Sequence, residues 1–266
     1  MRHIALIALI LFGAAGSAKA ELNANYRGVD RMTGDEVPAT AQFSIEPGRV
    51  AVILKGSHDC RMLFLEGEGV LRFVDDVGKT YFDMEKSWIG SSADDQAAVT
   101  AGFEQELAQL PPDQQDAARE LLRQALESEK APAAPEYVRT KEKTKVLGYD
   151  CTKVEIMRDG DKRGEYWGTP SKDLQMSDAE RKTMQSMGEY LRRLTQMAPA
   201  GAGEAATGAF EWDLSSDGFP LITRCFEKGK MELDLKAESF DRKALSKELF
   251  EIPSDYKELS IPVPEK

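Results

Sequence analysis

Between Asn23 and Glu85 the chain keeps no pattern for long, because short runs of alternating apolar and polar residues are cut by Gly34, Pro47-Gly48, Gly56, Gly67, Gly69 and Gly78. Such runs are too short for the 3.6-residue periodicity of a helix, and they predict a meander of antiparallel strands. "RVAVILKG", "RMLFLEGE", "VLRFVDD" and "KTYFDME" are the clearest members. Asp75 to Gly78 is expected to reverse the chain tightly, with the glycine supplying a positive φ. Strands resume with "YVRTKEKTKVLGYDCTKVEIMRDGDKRGEYWGTP", where Asp159-Gly160 turns the strand of Cys151 into that of Tyr166 and Trp167. Three more runs, "FEWDLS", "PLITRCFE" and "MELDLKAESF", complete the set. In the last, Met231, Leu233 and Leu235 alternate against Glu232, Asp234 and Lys236.

Helical signals interrupt the strands twice. "SSADDQAAVTAGFEQELAQL" opens with capping residues and acids and then places Val99, Phe103, Leu107 and Leu110 at helical spacing. Pro111-Pro112 stops that helix and starts the next, so residues 91–129 read as a helical insertion, followed by a stiff "KAPAAPE" linker. A further helix is expected over about 177–197, with Met184, Met187, Leu191 and Leu194 on one side. That stripe suits ordinary core, and it also suits a lid that packs on protein when empty and on an apolar ligand when filled. The small-residue tract 198–209 reads as a flexible return loop. Together these make one α+β domain, mainly β with helical insertions, over residues 21–266.

Composition and the first residues restrict function. Arg2 and His3, the apolar run "IALIALILFGAAG" and Ala18-Lys19-Ala20 have the form of a secretory signal peptide over residues 1–20, cleaved after Ala20, which would put the protein in the periplasm. No later stretch is long enough to span a bilayer, so an integral membrane protein is not expected. The formal net charge of -11 becomes two units more negative without Arg2 and Lys19, which disfavours nucleic acid and anionic membrane surfaces as partners. Cleavage also leaves His58 as the one histidine, too few for a two-histidine zinc or a blue-copper site. With neither HExxH nor GxSxG present, no catalytic residue, metal or cofactor is assigned, and a monomeric binding or interaction protein is expected rather than an enzyme. His58, Cys60 and Met62 would share a face of a continuous strand and suit reduced copper, but "KGSHDC" also reads as a polar turn. Three cysteines leave at least one thiol over, and Cys151 is expected to be buried and free.

"GKTYFDM", "LPPDQQ", "VLGYDC" followed by "GEYWGTP", "GFPLITR" and the closing "LFEIPSDYKEL" resemble periplasmic proteins with a domain of unknown function grouped with the lipoprotein carriers LolA and LolB. The resemblance spans nearly all of the chain after residue 20. It implies an antiparallel sheet curved into an incomplete half-barrel, with helices across an apolar concave side that takes acyl chains in the carriers. On that fold Gly148 would mark a bend or bulge. The cavity and lid would be lined by Met184, Met187, Leu191, Leu194, Trp167, Met231 and Leu233. The resemblance also implies that related sequences often carry a second cysteine on the strand beside Cys151, at the place of Trp167, so that packing would replace a cross-strand disulfide here. The partner implied is a lipid, acylated or other hydrophobic ligand, or else another envelope protein in an interaction or stress-sensing role.

Overall fold

The computed structural model describes residues 21–57, 59–85, 134–197 and 218–259, without the side chains of 194–197. The proposed signal peptide, the insertion at 91–129, the tract 198–209, "FEWDLS" and His58 lie outside the described residues. The strands are β1 (Glu21–Asp30), β2 (Val37–Glu46), β3 (Arg49–Lys55), β4 (Cys60–Leu65), β5 (Val70–Asp75), β6 (Thr80–Glu85), β7 (Glu136–Val146), β8 (Tyr149–Arg158), β9 (Asp161–Pro170), β10 (Gly218–Glu227), β11 (Lys230–Lys243) and the short β12 (Lys257–Glu258). One α-helix, α1 (Asp178–Met197), falls among the described residues, between β9 and β10, and a single 3-10 turn follows β11 at Lys247–Leu249.

The strands form a single sheet in the order β12-β6-β5-β4-β3-β2-β1-β11-β10-β9-β8-β7, which does not close. It is two meanders, β1 to β6 and β7 to β11, joined where β1 pairs antiparallel with β11. That seam depends on Gly28. A Cβ built there would lie 1.6 Å from the Asp234 carbonyl oxygen, so no side chain fits between the strands.

Hairpin turns explain several of the glycines. Leu147-Gly148, Asp159-Gly160 and Lys228-Gly229 are two-residue connections with both residues at positive φ, the geometry that matches the twist of paired strands. Gly148 (φ 87°) is therefore a turn residue and not the bend or bulge expected of it. The reversal after Asp75 also differs from expectation. Lys79 carries the positive φ (51°), while Asp75 accepts hydrogen bonds from the Val77 and Gly78 amides, both 2.9 Å, and Gly78 leaves room for that carboxylate.

The two faces of the sheet are covered differently. One, the helix face, carries α1 and a continuous apolar cluster running from Phe64 and Met62 through Phe43, Ala24 and Leu235 to Ile156 and Tyr166. On this face the Tyr149 and Phe240 rings meet with centroids 6.1 Å apart, although β8 and β11 are three strand spacings, about 14 Å, apart in a flat sheet. The sheet must curve toward the helix face there. On the other face Ala51, Leu63, Leu65, Val70 and Val74 pack against Phe250, Leu245, Leu249, Ile252 and Tyr256. The chain after β11 thus straps the outside of β3 to β6 and ends as β12 on the edge of β6, the Lys257 amide donating to the Lys79 carbonyl at 2.9 Å.

Candidate functional site

The helix of the site begins with a reciprocal cap. Ser177 Oγ accepts from the Glu180 amide (3.2 Å) and Glu180 Oε2 accepts from the Ser177 amide (2.7 Å), satisfying two amide donors that a helix start leaves open. Glu180 is buried and also meets the Arg242 guanidinium of β11 at 2.6 Å, and the same guanidinium donates to the Leu174 and Gln175 carbonyls. Further along α1, Thr183 Oγ1 accepts from the Gly48 amide in the β2–β3 turn (2.7 Å) and Ser186 Oγ donates to Glu66 in the β4–β5 turn (2.9 Å). Tyr190 donates its hydroxyl to the Met84 carbonyl of β6 and sets its ring edge-on to Phe64, and burial pushes its pKa up. Four polar ties therefore hold α1 across one end of the sheet, from β11 to β6.

Between the ties the helix presents Met184, Met187, Tyr190 and Leu191, each no more than 5% exposed. Beneath it runs the row Ile45, Val50, Phe64, Leu71 and Met84, one residue per strand from β2 to β6. The next row inward, Phe43, Val52, Met62, Phe73 and Phe82, is as apolar, with the last two rings stacked at 5.0 Å. Two clefts beside the helix are lined by described residues. A cleft of about 90 Å³ lies among Phe64, Glu66, Gly69, Ser186, Glu189, Tyr190 and Arg193, and one of about 10 Å³ near Met184 and Phe219.

Of the expected site residues, Met184, Met187 and Leu191 come together here, and the side chain of Leu194 lies outside the described residues. Leu233 is on the helix face but far along β11. It lies nine positions before Arg242, the residue of β11 that meets the start of α1, about 30 Å of strand. Met231, half-buried, lies further still and pairs with Phe226. Trp167 belongs to another neighbourhood, its ring 4.9 Å from the Arg224 guanidinium carbon and 5.5 Å from Lys153 Nζ. Tyr190 was missed, although it stands three residues after Met187, on the stripe already read as apolar.

The cysteines are all unbridged. Cys151 is buried, its thiol pushed up to about 11 by burial. Trp167 faces Lys153 and not Cys151 across β8 and β9, so the position at which related sequences were expected to hold a second cysteine does not lie opposite Cys151. Cys225 is two strands from Cys151, on β10. Cys60 opens β4 and pairs with Leu54, and burial raises its pKa also. No group of three His, Cys, Asp or Glu side chains among the described residues is placed to hold a metal ion.

The chain belongs to the family defined by a domain of unknown function, DUF4412, whose model matches residues 105–256, more than half of it. No curated protein matches it in sequence. Among solved structures it is similar to PNGF-II, at 12% identity and a TM-score of 0.40 over 90% of this chain and 30% of that one. It is also similar to MucB, at 10% identity and 0.33 over 89% and 58%, and to MucB in complex with MucA(peri), at 8% and 0.34 over 91% and 57%. The chain thus spans about a third of PNGF-II and less than two thirds of MucB. Likenesses this slight decide neither fold nor function. Among the described residues no helix is long and apolar enough to cross a membrane, which says nothing of strands.

Proposed function

We propose that this is a periplasmic binding protein, without catalytic activity, that holds a lipid, acylated or other hydrophobic ligand in a half-barrel, against the concave helix face of its sheet. The observation that carries the reading is the depth of the apolar floor. Helix α1 sits over the row from Ile45 to Met84, while the row from Phe43 to Phe82 continues the same surface inward where the sheet curves. In this reading α1 is a fixed wall of the site, because its polar ties to β11, two turns and β6 would all have to break for it to swing away. Export follows from the signal peptide, so mature protein is expected to begin at Glu21 on N-terminal sequencing.

A second reading, an envelope protein-interaction module with no small ligand, is favoured by the size of the clefts among the described residues. About 90 Å³ is well below the roughly 300–1,000 Å³ of ligand pockets. Native mass spectrometry of protein purified without detergent separates the two. A copurified lipid mass, released on denaturation, is expected for the binding protein. Ligand-free protein that also takes up no apolar fluorescent probe would leave the interaction module standing.

A further inference from the structure

The helix face carries a buried threonine hydroxyl that has nothing to bond among the described residues. Thr223 of β10 is 3% exposed, and its Oγ1 finds no hydrogen-bond partner. Its neighbours in register are Tyr166 on β9 and Leu235 on β11, and beyond them Val154 on β8, so its side chain stands in a cross-strand row that faces the apolar cluster. Cys225, two residues on, shares that face. Leaving a hydroxyl desolvated and unpaired costs free energy that valine, of nearly the same shape, would not incur. A threonine in the middle of such a row is an unused donor and acceptor.

We infer that Thr223 is a ligand-contact residue, its hydroxyl hydrogen-bonding to a neutral polar group on an otherwise apolar ligand. The inference rests on the binding reading above and narrows its ligand class. Pure hydrocarbon leaves the hydroxyl unsatisfied, whereas a ligand with a carbonyl or hydroxyl set within its apolar body completes it. A charged group is disfavoured, because the surrounding Val154, Leu235 and Cys225 offer no counter-charge.

The test uses two shape-matched fluorescent probes, 2-acetylnaphthalene and 2-ethylnaphthalene, titrated into the wild-type protein, Thr223→Val and Thr223→Ser. The wild type is expected to hold the acetyl compound more tightly than the ethyl one. Thr223→Val should weaken the acetyl compound about five- to tenfold, leave the ethyl compound unchanged and melt no lower than wild type, and Thr223→Ser should restore the preference. Equal affinity of Thr223→Val and wild type for the acetyl compound would overturn the role of Thr223 while the ethyl compound still supports an apolar site. Equal losses for both probes would make Thr223 a packing residue and overturn it too. Binding of neither probe by any variant would remove the binding reading and this inference with it.

Discussion

The outer face of the sheet, opposite α1, is built in two ways. Over β3 to β6 it is mainly apolar, because the strap from Leu245 to Tyr256 lies on Ala51, Leu63, Leu65, Val70 and Val74, with Arg72 paired to Asp83 beside them. Phe250 is the centre of that contact, with the Arg49 guanidinium 4.6 Å from its ring centroid. Over β8 to β11 the described residues of that face form a lattice of charges. Glu155 and Glu165 stand directly opposite each other on β8 and β9, a pairing that would repel on its own. Lys153 lies 3.2 Å from the first and 3.4 Å from the second, Lys162 meets both, and Arg224 bridges Glu165 and Asp234 at 3.1 Å each. The first half is held chiefly by removal of apolar surface from water, the second chiefly by compensation of charge, and the two should fail under different conditions.

The largest expected effect lies at the seam between the halves. Gly28→Ala puts a Cβ onto the Asp234 carbonyl, which must push β1 from β11, so the two meanders should no longer unfold together. Circular dichroism in a denaturant series should show loss of the single transition. One unchanged transition would mean that the strands meet less closely. Next comes Phe250→Ala, which empties the centre of the strap contact and should cost about 3–5 kcal/mol, read as a lower urea midpoint. An effect under about 1 kcal/mol would show that the strap rests on the sheet without sealing it.

Much of this architecture was legible in the sequence, and the failures share a cause. Alternation in "RVAVILKG" and "MELDLKAESF" marks strands because each has one face in a core, and S-x-x-E at Ser177–Glu180 marks the start of α1, because capping is local. The methionine stripe was read correctly as an apolar face of α1. The strap was not read at all. Phe250, Ile252 and Tyr256 follow no repeat, and their partners on β3 to β6 lie some two hundred residues earlier. Trp167 was expected in the cavity from the family resemblance. Its row-mates Lys153 and Ile222, and the lysine and arginine that flank its ring, become visible only once register is known.

The charged half should give a smaller effect, and one that depends on pH. Burial alone would push the Glu165 carboxyl up, but hydrogen bonds from Lys162 and Arg224 and the charges of Lys162 and Lys153 outweigh it and hold the group below its usual range. Glu155 is lowered as well, first by its bond from Lys153. Groups with depressed folded pKa values stabilise fully above the unfolded carboxylate value of about 4.3, and that contribution drains away as pH falls through it toward the folded value. Glu165→Gln should therefore cost about 1–2 kcal/mol at pH 7, moderated because its cations reach water, and the difference from wild type should shrink below about pH 4. A gap that stays constant down to pH 3 would assign the effect to packing instead of charge.

The smallest effect is expected where the strap ends. Lys79 and Asp255 pair at 2.6 Å, the hydrogen bond raising the lysine pKa and lowering that of the aspartate, so on this distance alone the pair looks like the latch of β12. Both side chains are more than half exposed, however, and an ion pair that water and salt can reach replaces hydration with little gain. Phe250 and Tyr256, by contrast, bring apolar surface that water cannot compete for, and Arg61 adds bonds to Asp76 at 2.7 Å and to the Glu251 carbonyl at 3.3 Å from a nearly buried position. Lys79→Ala should leave the melting temperature unchanged within error at 150 mM salt, and hydrogen exchange at the Lys257 amide should quicken only slightly. If instead Lys79→Ala frees the strap as fully as Phe250→Ala does, the apolar half would be held by charge at its margin, and the contrast between the two halves would collapse.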